Sequence, residues 1–166
     1  FDAYVDRKEA AAVLDYDDLL IFWHALLVDP KAGDQVRKLF DCVLVDEYQD
    51  TNVLQAELLY ALCPEGRGLT VVGDDAQSIY SFRAATIRNI LDFPNQFPGT
   101  RVVTLEQNYR STQPILAASN RVIAEARERF TKDLWSQRPD RPPPQLVTCD
   151  DEHEQVDFVV QRILDH

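Results

Sequence analysis

The sequence predicts an α/β fold built on a parallel sheet flanked by helices, and three observations carry that reading. The apolar run Cys42-Val43-Leu44-Val45 ends in two adjacent carboxylates, Asp46 and Glu47. A helical repeat follows at Leu54, Leu58 and Leu62, with Asp50 or Thr51 as its cap. A second apolar run, Leu69–Val72, then ends in Gly73-Asp74-Asp75-Ala76-Gln77. Short, wholly apolar runs fit strands buried on both faces, and strand–helix–strand order makes a βαβ unit with both polar ends on one sheet edge. Ligands of open α/β sheets bind outside the carboxyl ends of the strands. Asp46 and Glu47 at that edge suit a hard divalent cation and the activation of a water; the plainer alternative is that they start a turn and cap a helix.

Composition narrows the class. The 166 residues, 45% hydrophobic, suffice for one ordinary domain or two small ones and exclude wholesale disorder. No apolar stretch reaches membrane-spanning length and no signal peptide opens the chain, so the expected compartment is the cytoplasm, with no membrane partner. The first residue is Phe1, not Met, which predicts a piece of a longer protein. Cys42, Cys63 and Cys149 lack C-x-x-C spacing, against a disulfide framework or zinc site, and Cys42 is expected to be buried. The net charge of −11 is awkward for a nucleic-acid binder, whose affinity rests largely on Lys and Arg. A nucleic-acid role must therefore use a local patch, stacking, or other parts of the protein.

In chain order, residues 1–14 are weakly helical. Leu19, Phe22, Trp23, Leu26 and Leu27 form the stripe of an amphipathic helix started by Asp15 or Asp17 and stopped near Pro30. His24 beside it reads as a packing or surface residue. A short helix is expected around 35–40, and Gly66 and Gly68 mark a turn. Ser78–Arg83 is a loop with two aromatics and an arginine. Thr86 caps a helix through Ile87, Ile90 and Leu91 that Pro94 closes, and Phe97–Thr100 is a hinge or linker. A third strand is expected at Val102–Leu105. Beyond it lies a helix capped by Thr112 and opened by Pro114, with Ile115, Leu116, Ser119, Val122, Ile123 and Ala126 inward. Residues 127–144 read as loop, Gln145–Cys149 as a fourth strand, and the last helix carries Val156, Val159, Val160, Ile163 and Leu164 and stops at His166.

Three blocks now stand in order: Val45–Asn52 (VDEYQDTN), Val72–Arg83 (VGDDAQSIYSFR) and Leu105–Ser111 (LEQNYRS). Together they resemble motifs II, III and IV of the UvrD/Rep/PcrA-like superfamily 1 DNA helicases, and Tyr16–Leu20 is similar to the segment upstream of motif II. The resemblance covers about 14–124 firmly and the rest weakly. It implies two RecA-like (P-loop NTPase) motor domains, both incomplete: the latter part of the first over 1–98 and the start of the second over 99–166. It implies an ATP-dependent DNA translocase working in repair or recombination, with ATP and Mg²⁺ as cofactors. Its DNA partners would be single strands and single-strand/duplex junctions.

The resemblance also implies roles. Asp46 would hold the Mg²⁺ of MgATP, Glu47 would polarise the hydrolytic water, and Gln77 would sense the γ-phosphate. Tyr109 would stack on adenine, and Arg110 would act as an arginine finger from the second motor domain. Phe82 would stack on bases, with Tyr80 and Arg83 in the same DNA path. Arginine's planar fork suits phosphoryl oxygens, and aromatic faces stack on any base without net positive charge. The plainer readings are Tyr109 and Phe82 as packed core and Arg110 in a surface ion pair. Two departures stand out. No G-x-x-x-x-G-K-[ST] occurs among only five glycines, so the chain alone is expected neither to bind ATP tightly nor to unwind DNA. Ala84 stands where the family has glycine, which predicts a negative φ and an altered loop path. A helicase–nuclease subunit and a non-catalytic scaffold module are the alternative functions.

Overall fold

The computed structural model describes residues 1–139 and 141–165. The chain divides into two compact units, Phe1–Thr104 with Arg127–Thr131, and Leu105–Ala126 with Lys132–His166.

In the first unit, α1 (Asp2–Ala11) buries no residue. It is tied to the next element by Lys8 Nζ, which donates to Asp15 Oδ2 (2.8 Å) and Asp18 Oδ2 (2.6 Å), and by the Tyr4 hydroxyl on Asp15. The Lys8 contact, with help from the Asp18 amide and Tyr4, holds the Asp15 carboxyl well below the usual carboxylate range. Asp15 also caps α2 (Tyr16–Val28) in a reciprocal box with Asp18. The buried side of α2 differs from the expected stripe: Leu19, Phe22, Trp23 and Leu26 are exposed, whereas Leu20 and Leu27 enter the core. This helix is apolar on several sides, so hydrophobicity alone does not select the face that packs. Pro30 both ends α2 and opens α3 (Pro30–Arg37), whose first amides bond Asp29. The short helix therefore begins and ends earlier than expected, and Phe40 is exposed.

Strand β1 (Val43–Val45) leads through a 3-10 turn, Tyr48–Asp50, into α4 (Val53–Leu62), and β2 (Leu69–Val71) returns parallel to β1. The register pairs Val43 with Leu69 and Val45 with Val71. The cap of α4 is Asn52, in a reciprocal box with Gln55, rather than Asp50 or Thr51. Gly68 makes the return possible, with φ of +69° and an added Cβ only 2.5 Å from the Asp41 carbonyl oxygen.

Among the described residues only one face of this pair is covered, a correction to the expectation of two. Val43, Val45, Leu69 and Val71 point into the core, while Leu44 is 78% exposed and Cys42 is also exposed. Side chains alternate across a strand, and every element covering the pair lies on the first face. The core forms two clusters joined at Leu69: Leu27, Leu58, Leu62 and Cys63 in one, Tyr48, Ile90, Phe93 and Phe97 in the other. Tyr48 meets Phe93 edge to face at 5.4 Å between centroids.

After β2, Thr86 Oγ1 accepts from the Arg88 amide at the start of α5 (Arg88–Leu91). Pro94 lies in a further turn, α6 (Phe93–Gln96), which it opens rather than closing α5. Phe97 is buried in the second cluster, so a linker does not begin there.

Neither expected strand forms: Val102–Leu105, at the end of the first unit and the start of the second, and Gln145–Cys149, in the second, lack ladder partners among the described residues, and Val102, Val103, Leu105 and Leu146 are exposed. Instead Gln107 makes an isolated parallel bridge with Trp135. Helix α7 (Gln113–Ala124) follows Thr112, whose hydroxyl makes no capping bond. Its inward side is Gln113, Leu116, Asn120 and Ile123, whereas Ile115, Ser119, Val122 and Ala126 are exposed. Two polar residues on that side decide the packing: Gln113 accepts from the Ser136 amide, and Asn120 bonds Asp133 and both backbone groups of Leu134. Helix α8 (Glu152–Leu164) is capped by Asp151 and buries no residue. Its expected end at His166 lies outside the described residues.

Candidate functional site at the strand ends

The parallel register brings the chain out of β1 and β2 at the same edge, and the backbone stays paired one residue further. Val72 N donates to Val45 O (2.7 Å) and Tyr48 N to Val72 O (3.0 Å). Asp46 follows β1 with its carboxylate exposed and Oδ1 accepting from the Glu47 amide (2.9 Å). Glu47 sits in the left-handed region, φ 50° and ψ 41°, an uncommon conformation for a residue with a Cβ. Left-handed strain persists where surrounding contacts over-determine it. Here the Asp50 amide bonds Glu47 O (2.9 Å), and Gln49 Nε2 donates to Glu47 Oε2 (2.7 Å).

Gln49 went unnoticed in the sequence, yet it is 1% exposed and ties the two strand ends together. Its Oε1 accepts from the Asp74 amide (3.0 Å), and its backbone oxygen accepts from Ser78 Oγ (3.3 Å). Asp74 Oδ2 in turn accepts from Gln77 Nε2 (2.8 Å). A continuous path of bonds thus runs Glu47–Gln49–Asp74–Gln77. The one sequence signal was Gly73, a glycine at a strand end, where close approach is the usual reason. A Cβ there would lie 2.6 Å from Gln49 Oε1 and 2.8 Å from Ile90 Cδ1. Buried Asn89 makes a second tie, donating from Nδ2 to Thr51 O, Thr51 Oγ1 and Asn52 O.

The loop beyond Gln77 turns through Ser81–Arg83 and stacks its side chains. Tyr80 and Phe82 ring centroids are 5.8 Å apart, and the Arg83 guanidinium lies 5.2 Å and 5.5 Å from them. Phe82 is 76% exposed and so is not a core plug. Ala84 contradicts the expected negative φ: it takes φ 60°, ψ 13°, closing the turn with its amide on Ser81 O (3.0 Å). The turn imposes the glycine-like conformation on alanine at the expense of strain.

In the second unit, Asn108 Oδ1 accepts from the amides of Arg110 (2.9 Å) and Ser111 (2.7 Å), an Asx turn. Arg138 Nη1 bonds the Arg110 carbonyl (2.6 Å). Backbone geometry is fixed while the side chains stand outward: Tyr109 is 77% exposed rather than core, and Arg110 makes no ion pair among the described residues.

Asp46 stands exposed at the end of β1, beside Glu47. No group of three or more His, Cys, Asp or Glu fit to hold a metal occurs among the described residues. A lone exposed carboxylate such as Asp46 suits a cation held jointly with substrate phosphates, the usual habit of Mg²⁺. No helix among the described residues is long and apolar enough to cross a membrane.

A two-strand parallel edge with an Asp-Glu exit, a glutamine-tipped second exit and an exposed aromatic loop defines a class, and comparison with known families assigns it. Residues 1–98 match the model of the UvrD/REP helicase N-terminal domain, and residues 103–166 match the UvrD-like helicase C-terminal domain. The chain belongs to the UvrD-like helicase family. It is 46% identical over 98% of its length to the ATP-dependent DNA helicase UvrD1 of Mycobacterium tuberculosis. It is 39% identical over the same share to DNA helicase II of Escherichia coli and of Salmonella typhimurium. The chain spans 22% of the first of these relatives and 23% of the other two.

Proposed function

We propose that this chain is part of an ATP-driven DNA helicase and translocase, acting in repair or recombination, and carries portions of two RecA-like motor domains over 1–98 and 99–166. Asp46 would hold a magnesium ion, which would neutralise the substrate's phosphate charge. Glu47, fixed by Gln49, orients the attacking water and accepts its proton. Gln77 reads the γ-phosphate, Tyr109 stacks on the adenine, and Arg110 supplies a guanidinium to the γ-phosphate, as phosphoryl transfer requires. Tyr80, Phe82 and Arg83 grip single-stranded DNA by stacking, which needs no net positive charge and is compatible with the acidic chain. The observation that carries the reading is the bonded path from Glu47 to Gln77, which enters the aromatic loop three residues later.

The 166-residue chain has no phosphate-cradling glycine–lysine loop, and we expect it alone to be inactive. The test therefore uses the full-length protein that contains it. Single-stranded DNA stimulates its ATP hydrolysis, and Glu47→Gln lowers kcat at least about 100-fold while ATP binding persists. Hydrolysis indifferent to DNA, or unaffected by Glu47→Gln, overturns the proposal.

A further inference from the structure

Gln49 has two features that a turn residue rarely combines: it is almost wholly buried, and each end of its side-chain amide bonds a different strand exit. Its amide nitrogen donates to the Glu47 carboxylate and its amide oxygen accepts from the Asp74 backbone. Asp74 holds Gln77, and the Gln49 carbonyl takes the Ser78 hydroxyl from the same loop. We propose that Gln49 is a positioning residue for ATP hydrolysis, setting the orientation of the Glu47 carboxylate by anchoring it to the segment that carries Gln77. The inference rests on the function proposed above and extends it to a residue outside the reacting groups.

The physical case lies in the geometry of Glu47. Its backbone is left-handed, so its side chain leaves the strand end along a direction that few neighbours can fix. The bond from Gln49 is the side-chain contact that aims the carboxylate. General bases depend steeply on such aim, and a displacement of about 1 Å can cost on the order of 100-fold in rate. Because Gln49 is clamped at its other end by Asp74 N, movement of the second exit shifts Glu47 as well. Gly73 is part of the device, since a methyl group there would collide with Gln49 Oε1.

The test compares wild type, Gln49→Met and Gly73→Ala in the full-length protein, with DNA-stimulated ATP hydrolysis as readout. Gln49→Met keeps length and burial but removes both bonds, while Gly73→Ala keeps the glutamine and displaces its amide. We expect kcat to fall about 10- to 100-fold in each, with KM for ATP changed less than about threefold. In a Glu47→Gln background, Gln49→Met should change the residual rate less than about twofold, because the positioning proposed here acts on the Glu47 carboxylate. Nucleotide binding and thermal melting, measured alongside, show whether each variant is folded. Wild-type kcat in both folded variants overturns the positioning role alone, as does an undiminished Gln49→Met effect in the Glu47→Gln background. Should both variants fail to fold, Gln49 is a structural residue and the role is likewise rejected. A wild type without DNA-stimulated hydrolysis instead overturns the function on which the inference stands.

Discussion

Three turns of the first unit place a residue with a Cβ in the left-handed region, at Ala12, Glu47 and Ala84, and the last two treat it differently. At Glu47 (φ 50°) the strained residue is enclosed by bonds: its amide to Asp46, its carbonyl from Asp50, its carboxylate from buried Gln49. At Ala84 (φ 60°) a single backbone bond to Ser81 closes the turn, and Phe82 beside it lies open to solvent. The same backbone cost is spent on opposite ends. Under the proposed function, the strain around Glu47 aims a carboxylate that must meet one water in one geometry. Around Ala84 it would only present aromatic faces, which accept any base and tolerate small changes of angle.

That contrast orders the expected effects. Glu47→Gln, described above, is the largest, because it removes the aimed group itself. Next, Phe82→Ala in the full-length protein should weaken single-stranded DNA binding by the ~1–3 kcal/mol that one stacked base contributes, roughly 5- to 150-fold. Fluorescence anisotropy of a labelled oligonucleotide measures this, and ATP affinity without DNA should stay within about twofold. Unchanged DNA affinity would return Phe82 to the role of a surface residue. The smallest effect concerns strain alone. Ala84→Gly should stabilise the protein by roughly 0.5–1 kcal/mol, because glycine takes positive φ without the Cβ penalty, offset in part by its looser unfolded state. Denaturant unfolding reads the change, and a loss of stability would mean that the alanine methyl makes a contact outweighing the strain.

The sequence was most legible where local chemistry decides the outcome. Asp15 and Pro114 start helices as expected, and the βαβ unit follows from two apolar runs around the Leu54–Leu62 repeat. It was least legible where a partner elsewhere decides. Val102–Leu105 and Gln145–Cys149 have strand composition, but a strand exists only through its ladder, and neither stretch has one. Helix α2 offers apolar residues on several sides; of the expected stripe only Leu27 is buried, and tertiary contact brings in Leu20 instead of the rest. The cap of α4 fell on neither expected residue, Asp50 or Thr51, but on Asn52, whose reciprocal box with Gln55 decides it. The positions of Asp46, Glu47 and Gln77 followed from the parallel order of the strands. Gln49 did not, because a glutamine in a polar turn is ordinarily solvated, and its burial depends on Asp74 and Gly73 arriving from 24 and more residues away. The fixed φ of Ala84 was misjudged for the same reason: turn closure overrode the residue's own preference.

On the proposed function, Gln77 and the Phe82 loop form one device, in which the nucleotide's γ-phosphate sets the grip on DNA. The direct measurement is the affinity of the full-length Glu47→Gln protein for a single-stranded oligonucleotide, saturated first with ATP and then with ADP, with and without Gln77→Ala. The account predicts that the affinity differs by at least about fivefold between the nucleotides, a coupling of about 1 kcal/mol, and that Gln77→Ala brings the ratio close to one. An equal ratio in the presence and absence of Gln77 would contradict it.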